Sequence, residues 1–78
     1  MEMFKVDDLR GKPTLRDLRK QNCMGVPEVA RAMNVRENTI YRWERGINVP
    51  PLMDALRLVS LFKTEVAQVN WWPHGWID

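Results

Sequence analysis

Cysteine occurs once in this chain, at Cys23. A single thiol cannot form an intrachain disulfide, so a reducing compartment suits the protein. Cys23 lies just before the second helix, with apolar Met24 and Val26 following, and the residue reads as a small buried filler rather than a reactive thiol. Histidine also occurs once, at His74. Metal-ligand spacings are missing, and no Ser/His/Asp or Cys/His grouping has a helical or hairpin context. The expectation is therefore a protein that is not an enzyme and takes no cofactor or metal, with His74 a polar tail residue. No apolar run approaches the roughly 18 residues of a membrane span, and no signal-peptide pattern opens the chain. A cytoplasmic protein without a membrane partner is expected. Internal repeats and low-complexity segments are lacking too.

What is present is enough for one small domain. The chain has 78 residues, 45% of them hydrophobic, too many for a disordered tail. The net charge of +2 says little, but its distribution says more. Residues 14–45 hold Arg16, Arg19, Lys20, Arg31, Arg36, Arg42 and Arg45 against Asp17, Glu28, Glu37 and Glu44. Residues 46–78 hold only Arg57 and Lys63 against Asp54, Glu65 and Asp78. Positive charge is thus concentrated in one stretch, the electrostatic footprint of a nucleic-acid surface.

Local signals divide the chain. Residues 1–13 read as an extended arm that packs Phe4 or Leu9 on the domain. Thr14 is a good N-cap, with Asp17 three residues on, so a first helix is predicted over about 15–22 with Leu15 and Leu18 inward. Pro27 and Glu28 mark the start of a second helix over about 26–33, which buries Val29, Ala30 and Met33. The small Ala30 side chain lets the second and third helices cross closely. Asn34 suits a left-handed stop, a third helix covers about 36–45, and Gly46 ends it. Pro50 and Pro51 can introduce a helix but not continue one, which gives a fourth over about 51–62. Its predicted inward stripe is Leu52, Ala55, Leu56, Val59 and Phe62, with Leu58 on the flank and Leu61 in water. Thr64 can cap a short fifth helix over about 65–69.

The third helix is the most informative. At about 100° per residue, with Glu37 at zero, Tyr41 falls at about 40°, Arg45 at about 80°, Asn38 at about 100° and Arg42 at about 140°. Ile40 and Trp43 point the opposite way. A face of amide, phenol and guanidinium groups backed by apolar knobs suits the DNA major groove. Asn and Arg can form paired hydrogen bonds with base edges, and Arg also neutralises phosphate. Helix, short turn and helix, closed by Gly46, have the spacing of a helix-turn-helix.

Five stretches together resemble the lambda-repressor/Cro-like (XRE-type) helix-turn-helix family: LRDLR at 15–19, EVARAMNV at 28–35, TIYRWERG at 39–46, Pro50, and LMDALRLVSLF at 52–62. The resemblance runs from Leu15 to about Val69. It implies an all-α, compact five-helix domain over 14–69, flanked by the arm at 1–13 and a Trp-rich tail at 70–78. It also implies a sequence-specific transcriptional regulator, commonly a homodimer on a palindromic double-stranded operator. The small size suits a phage or mobile-element repressor, or an antitoxin.

Carried over from the family, Glu37, Asn38 and Arg42 are the base-reading positions. Arg42 would fork onto guanine and Asn38 bracket adenine, while Glu37 would accept from cytosine or else serve as a first-turn partner of the helix dipole. Phosphate or groove contacts fall to Arg36, Tyr41, Arg45 and Asn48, with Arg16 and Lys20 as further cations. At the start of the second helix, members often carry Gln preceded by Ser or Thr. Here Val26 follows Gly25, which leaves backbone amides for that contact. Arg19 and Glu44 match a structural ion pair of the family, and Trp43 belongs to the core. The tail holds Trp71, Trp72 and Trp76, costly to expose. With Leu61 they form a dimer or partner surface, or they fold back on the domain. The rival function is a protein-interaction module on the same scaffold, with the tail as its binding element.

Overall fold

The computed structural model describes residues 11–73. Phe4 and Leu9 of the expected arm, with His74 and Trp76 of the tail, lie outside them. Four α-helices follow in order: α1 Leu15–Gln21, α2 Val26–Met33, α3 Glu37–Arg45 and α4 Leu52–Leu61. A single 3-10 turn, Val66–Gln68, stands where a fifth helix was expected. Both flanks of that turn, Glu65 and Val69, have extended backbone, and neither Glu65 nor Thr64 caps it through a side chain. The turn instead delivers Val69, fully buried, to the core.

The first helix starts as its sequence dictates. The Thr14 hydroxyl accepts from the Asp17 N–H at 3.2 Å, and the Asp17 carboxylate accepts from the Thr14 N–H at 3.1 Å. This reciprocal pair satisfies two donors that would otherwise be orphaned at the helix start. All four helices end alike, on a residue with positive φ: Cys23 (56°), Asn34 (58°), Gly46 (75°) and Lys63 (59°). After α1, the Cys23 N–H reaches the Lys20 carbonyl and the Met24 N–H reaches that of Arg19, both at 3.0 Å. The other three ends repeat this pattern of paired bonds. Cys23 is therefore exposed and not the buried filler expected. The turn spends this residue on reversing the chain, and Met24 behind it packs against the core.

The core gathers Leu15 and Leu18 of α1, Val26, Val29, Ala30 and Met33 of α2, Ile40 and Trp43 of α3, and Ala55, Leu58 and Val59 of α4. Phe62, Val69 and Trp71 complete it from the C-terminal side. The phase of α4 differs from the expected one. Leu58 is its deepest residue, 1% exposed, whereas Leu52 is 70% exposed and Leu56 also faces water. The inward stripe is Ala55, Leu58, Val59 and Phe62, at the i, i+3, i+4, i+7 spacing of a helix face. Leu61 is half-buried and packs on the core.

The tail's first residues join the body. The Asn70 N–H donates to the Pro13 carbonyl at 2.8 Å, beside an isolated parallel bridge between Asn70 and Thr14. Trp71 is 8% exposed, and its indole N–H donates to the Val66 carbonyl at 2.9 Å. It cannot face a partner from inside its own core, so this member of the expected partner surface has folded back. No helix among the described residues is long and apolar enough to cross a membrane.

Candidate nucleic-acid interface

The turn between α2 and α3 is three residues long. Asn34 takes the left-handed conformation, and the Val35 N–H returns to the Ala30 carbonyl at 3.0 Å. Val35 packs against the core, and Arg36 is the extended N-cap of α3. With Val29, Ala30 and Met33 buried behind it, α3 is held by Ile40 and Trp43 and presents its other side to solvent.

On that side Glu37, Asn38, Tyr41, Arg42 and Arg45 are all exposed. Arg36 stands exposed at the start of the helix and Asn48 just beyond its end. Among the described residues, the ion pair formed is Arg19 with Glu44. The guanidinium groups of Arg36, Arg42 and Arg45 have no carboxylate partner among the described residues for an incoming phosphate or base edge to displace. The α3 start has no side-chain cap. Its first amide groups, with the dipole behind them, are directed along the helix axis past Arg36.

The start of α2 is built differently. Val26 is 5% exposed, so its side chain is a core residue and cannot contact the DNA groove. The contact expected at this position is one of the backbone amide, since neither Val26 nor Gly25 carries a polar side chain. Gly25 has no side chain to cap the helix, but the Glu28 carboxylate accepts the Gly25 N–H at 3.2 Å. A carboxylate thus occupies ground where an anionic phosphate would sit.

Arg19 and Glu44 join α1 to α3. The guanidinium Nε and one terminal nitrogen donate to the two carboxylate oxygens at 2.7 and 3.2 Å, and the other terminal nitrogen donates to the Met24 carbonyl at 3.1 Å. The hydrogen bond from Glu44 raises the pKa of Arg19. Burial opposes that rise, and the charge of Glu44 and the nearby Tyr41 add to it. The pair is charged and shielded, and it fixes where α3 sits on α1.

Above this pair lies a groove of about 680 Å³. Arg16 and Thr14 line it from α1, Pro27 from α2, Tyr41 and Arg45 from α3, and Pro73 from the tail. Residue spacing picked out the α3 members. It attached little weight to Arg16 and none to Pro73, because their meeting depends on how three distant segments pack. Leu61 and Trp72, the remaining described members of the expected partner surface, lie elsewhere. Leu61 lines a second groove with Met33 and Met53, while Trp72 is 46% exposed and reaches the end of α3.

Among the described residues, no group of three or more His, Cys, Asp or Glu side chains could hold a metal ion. Comparison with curated proteins gives no match, and comparison with solved structures gives none either. A family model described as a helix-turn-helix domain matches residues 14–72, from the α1 cap to the second tail tryptophan. On that match, which covers most of the sequence, the chain belongs to the helix-turn-helix domain family.

Proposed function

We propose that this protein is a transcriptional regulator of the lambda-repressor/Cro-like kind, binding double-stranded DNA sequence-specifically through α3. It acts by occupancy and not by catalysis, and works in the cytoplasm on phage, mobile-element or antitoxin operators. The observation that carries the reading is the exposed face of Asn38, Tyr41 and Arg42, flanked at both ends by the cations Arg36 and Arg45, none of them in an ion pair among the described residues. In this reading Arg42 and Asn38 read bases, Glu37 rejects mismatched ones, and Arg36, Arg45 and Asn48 hold the strand. Because Glu28 occupies the α2 start, the phosphate grip rests more on α3 and on Arg16.

A homodimer on a palindromic site belongs to the same proposal. A strip of exposed apolar side chains, Ile47, Val49, Leu52, Met53 and Leu56, supports it. The strip runs from the cap of α3 along α4, so pairing across it would set two recognition helices in a fixed relation. The same strip favours the second reading, capture of another protein, now by α4 rather than by Trp71. Selection of bound sequences from a random duplex pool, followed by sizing of the complex, tests both readings. An enriched palindrome bound by two chains is the expected result. Failure to enrich any sequence would overturn the regulator and leave the protein-binding module.

A further inference from the structure

The segment from Asn70 to Pro73 touches both ends of the proposed DNA surface. At one end, the Asn70 N–H holds Pro13, next to the α1 cap. At the other, the Trp72 indole N–H donates to the Gly46 carbonyl at 2.8 Å, across 26 residues of chain. Gly46 is the left-handed cap of α3. Just beyond Trp72, Pro73 lines the groove that holds Arg16, Tyr41 and Arg45.

The two tail tryptophans divide the work. Trp71 is the buried one, and its indole bonds within the tail's own turn. Trp72 leaves nearly half of its surface in water, and its indole hydrogen bond ends on the cap of α3. Gly46 has the freedom of a residue without Cβ, and exposed Ile47, Asn48 and Val49 follow it. The helix end is otherwise held by the Gly46 N–H on Trp43 and the Ile47 N–H on Arg42. A further anchor on the outward carbonyl removes alternative conformations of this turn before a ligand arrives, and such preorganisation lowers the cost of binding.

We propose that Trp72 is a positioning residue of the DNA interface: through Gly46 it pins the last turn of α3 and so sets Arg45 and the Ile47–Asn48 backbone for phosphate. This inference rests on the DNA-binding reading above, and its test separates the two. Binding of the full chain to a 20-base-pair duplex of random sequence is measured across a salt series for the wild type, Trp72→Phe and Trp71→Phe. Phe keeps an aromatic ring and removes the indole donor, and the Trp71→Phe control makes the same change in ring size. Trp72→Phe should bind about three- to tenfold more weakly and lose about one phosphate contact's worth of salt slope, with its folded fraction unchanged. Trp71→Phe should lower the melting temperature and keep the slope of its folded fraction. Amide exchange at Ile47, relative to the core amides of α4, should speed up in Trp72→Phe and not in Trp71→Phe. Wild-type slope and affinity in Trp72→Phe would overturn the proposal. If the wild type itself fails to bind the duplex, the DNA reading falls. The Ile47 exchange ratio then decides the pinning alone: a rise specific to Trp72→Phe supports it, and equal ratios overturn it.

Discussion

Arg42 and Arg45 stand one turn apart on α3, both exposed and both without a carboxylate partner among the described residues, yet their expected roles differ. Arg42 is a proposed base-reading position one turn before the helix end, so Arg42→Ala should cost about 1–3 kcal/mol on the preferred site and flatten discrimination at one base pair. Arg45 lies at the helix end beside the groove, so Arg45→Ala should weaken all sequences alike and reduce the salt slope by about one unit. Binding titrations on a matched and a mismatched duplex separate the two patterns, and the same pattern for both variants would break the assignment. The Arg19–Glu44 pair follows different physics, since the Glu44 side chain is 8% exposed. Arg19→Ala strands that carboxylate in the interior and should cost about 3–5 kcal/mol, whereas the double variant Arg19→Met with Glu44→Leu should recover most of the loss. Chemical denaturation of the three proteins measures this, and an unrecovered double variant would mean that the bond to the Met24 carbonyl carries the junction.

At the level of the element, the four helix ends form a natural experiment. Each reverses through a left-handed residue with the same pair of backbone bonds. Asn34 and Gly46 occupy that conformation at little cost, while Cys23 and Lys63 carry a Cβ into a region that disfavours it by roughly 1–2 kcal/mol. Cys23 is exposed, so Gly there would give up little buried surface. Cys23→Gly should therefore stabilise the fold by about 0.5–1 kcal/mol, after the added chain entropy of Gly in the unfolded state is subtracted. Thermal melting at matched concentration checks it, and a lower midpoint would show that the thiol does more than cap α1. Lys63→Gly should behave in the same way at the end of α4.

For the whole molecule, the tail decides how much chain is one cooperative unit. Trp71 is a core residue and Asn70 is tied to Pro13, so a chain cut after Asn70 loses a buried indole. That loss should cost about 3–5 kcal/mol, enough to lower the melting midpoint of so small a domain by more than about 10 °C. Circular dichroism of the truncated chain is the measurement, and an unchanged midpoint would place Trp71 outside the core. The apolar strip on α4 makes the opposite demand. Leu52 is largely exposed, so Leu52→Lys should leave the melting midpoint of the isolated fold nearly unchanged. If the strip joins two copies, it should turn a dimer into a monomer in sedimentation and weaken binding to a palindromic site far more than to a half-site.

The sequence alone was enough for what depends on neighbours within a turn or two. The 26–33 span predicted for the second helix is the observed Val26–Met33. The Thr14–Asp17 cap, the left-handed Asn34 and the Gly46 stop were legible for the same reason, since capping and reversal are local hydrogen-bonding problems. The exposed side of α3 was equally legible, because Glu37, Asn38, Tyr41 and Arg42 share one short helix and Ile40 and Trp43 fix its phase. Only tertiary structure could decide the rest. In α4, Leu52, Met53, Leu56, Leu58 and Leu61 surround the helix with apolar side chains, so periodicity admits more than one inward stripe until α2 and the 3-10 turn claim one side. Cys23 looked like filler until the turn after α1 needed a left-handed residue at that position. Trp71 and Trp72 are adjacent and chemically identical. One fills the core and the other reaches Gly46, because the segment from Asn70 to Pro73 is bonded to Pro13 beside the α1 cap and to Gly46 at the α3 cap, and no local signal records contacts to such distant parts of the chain.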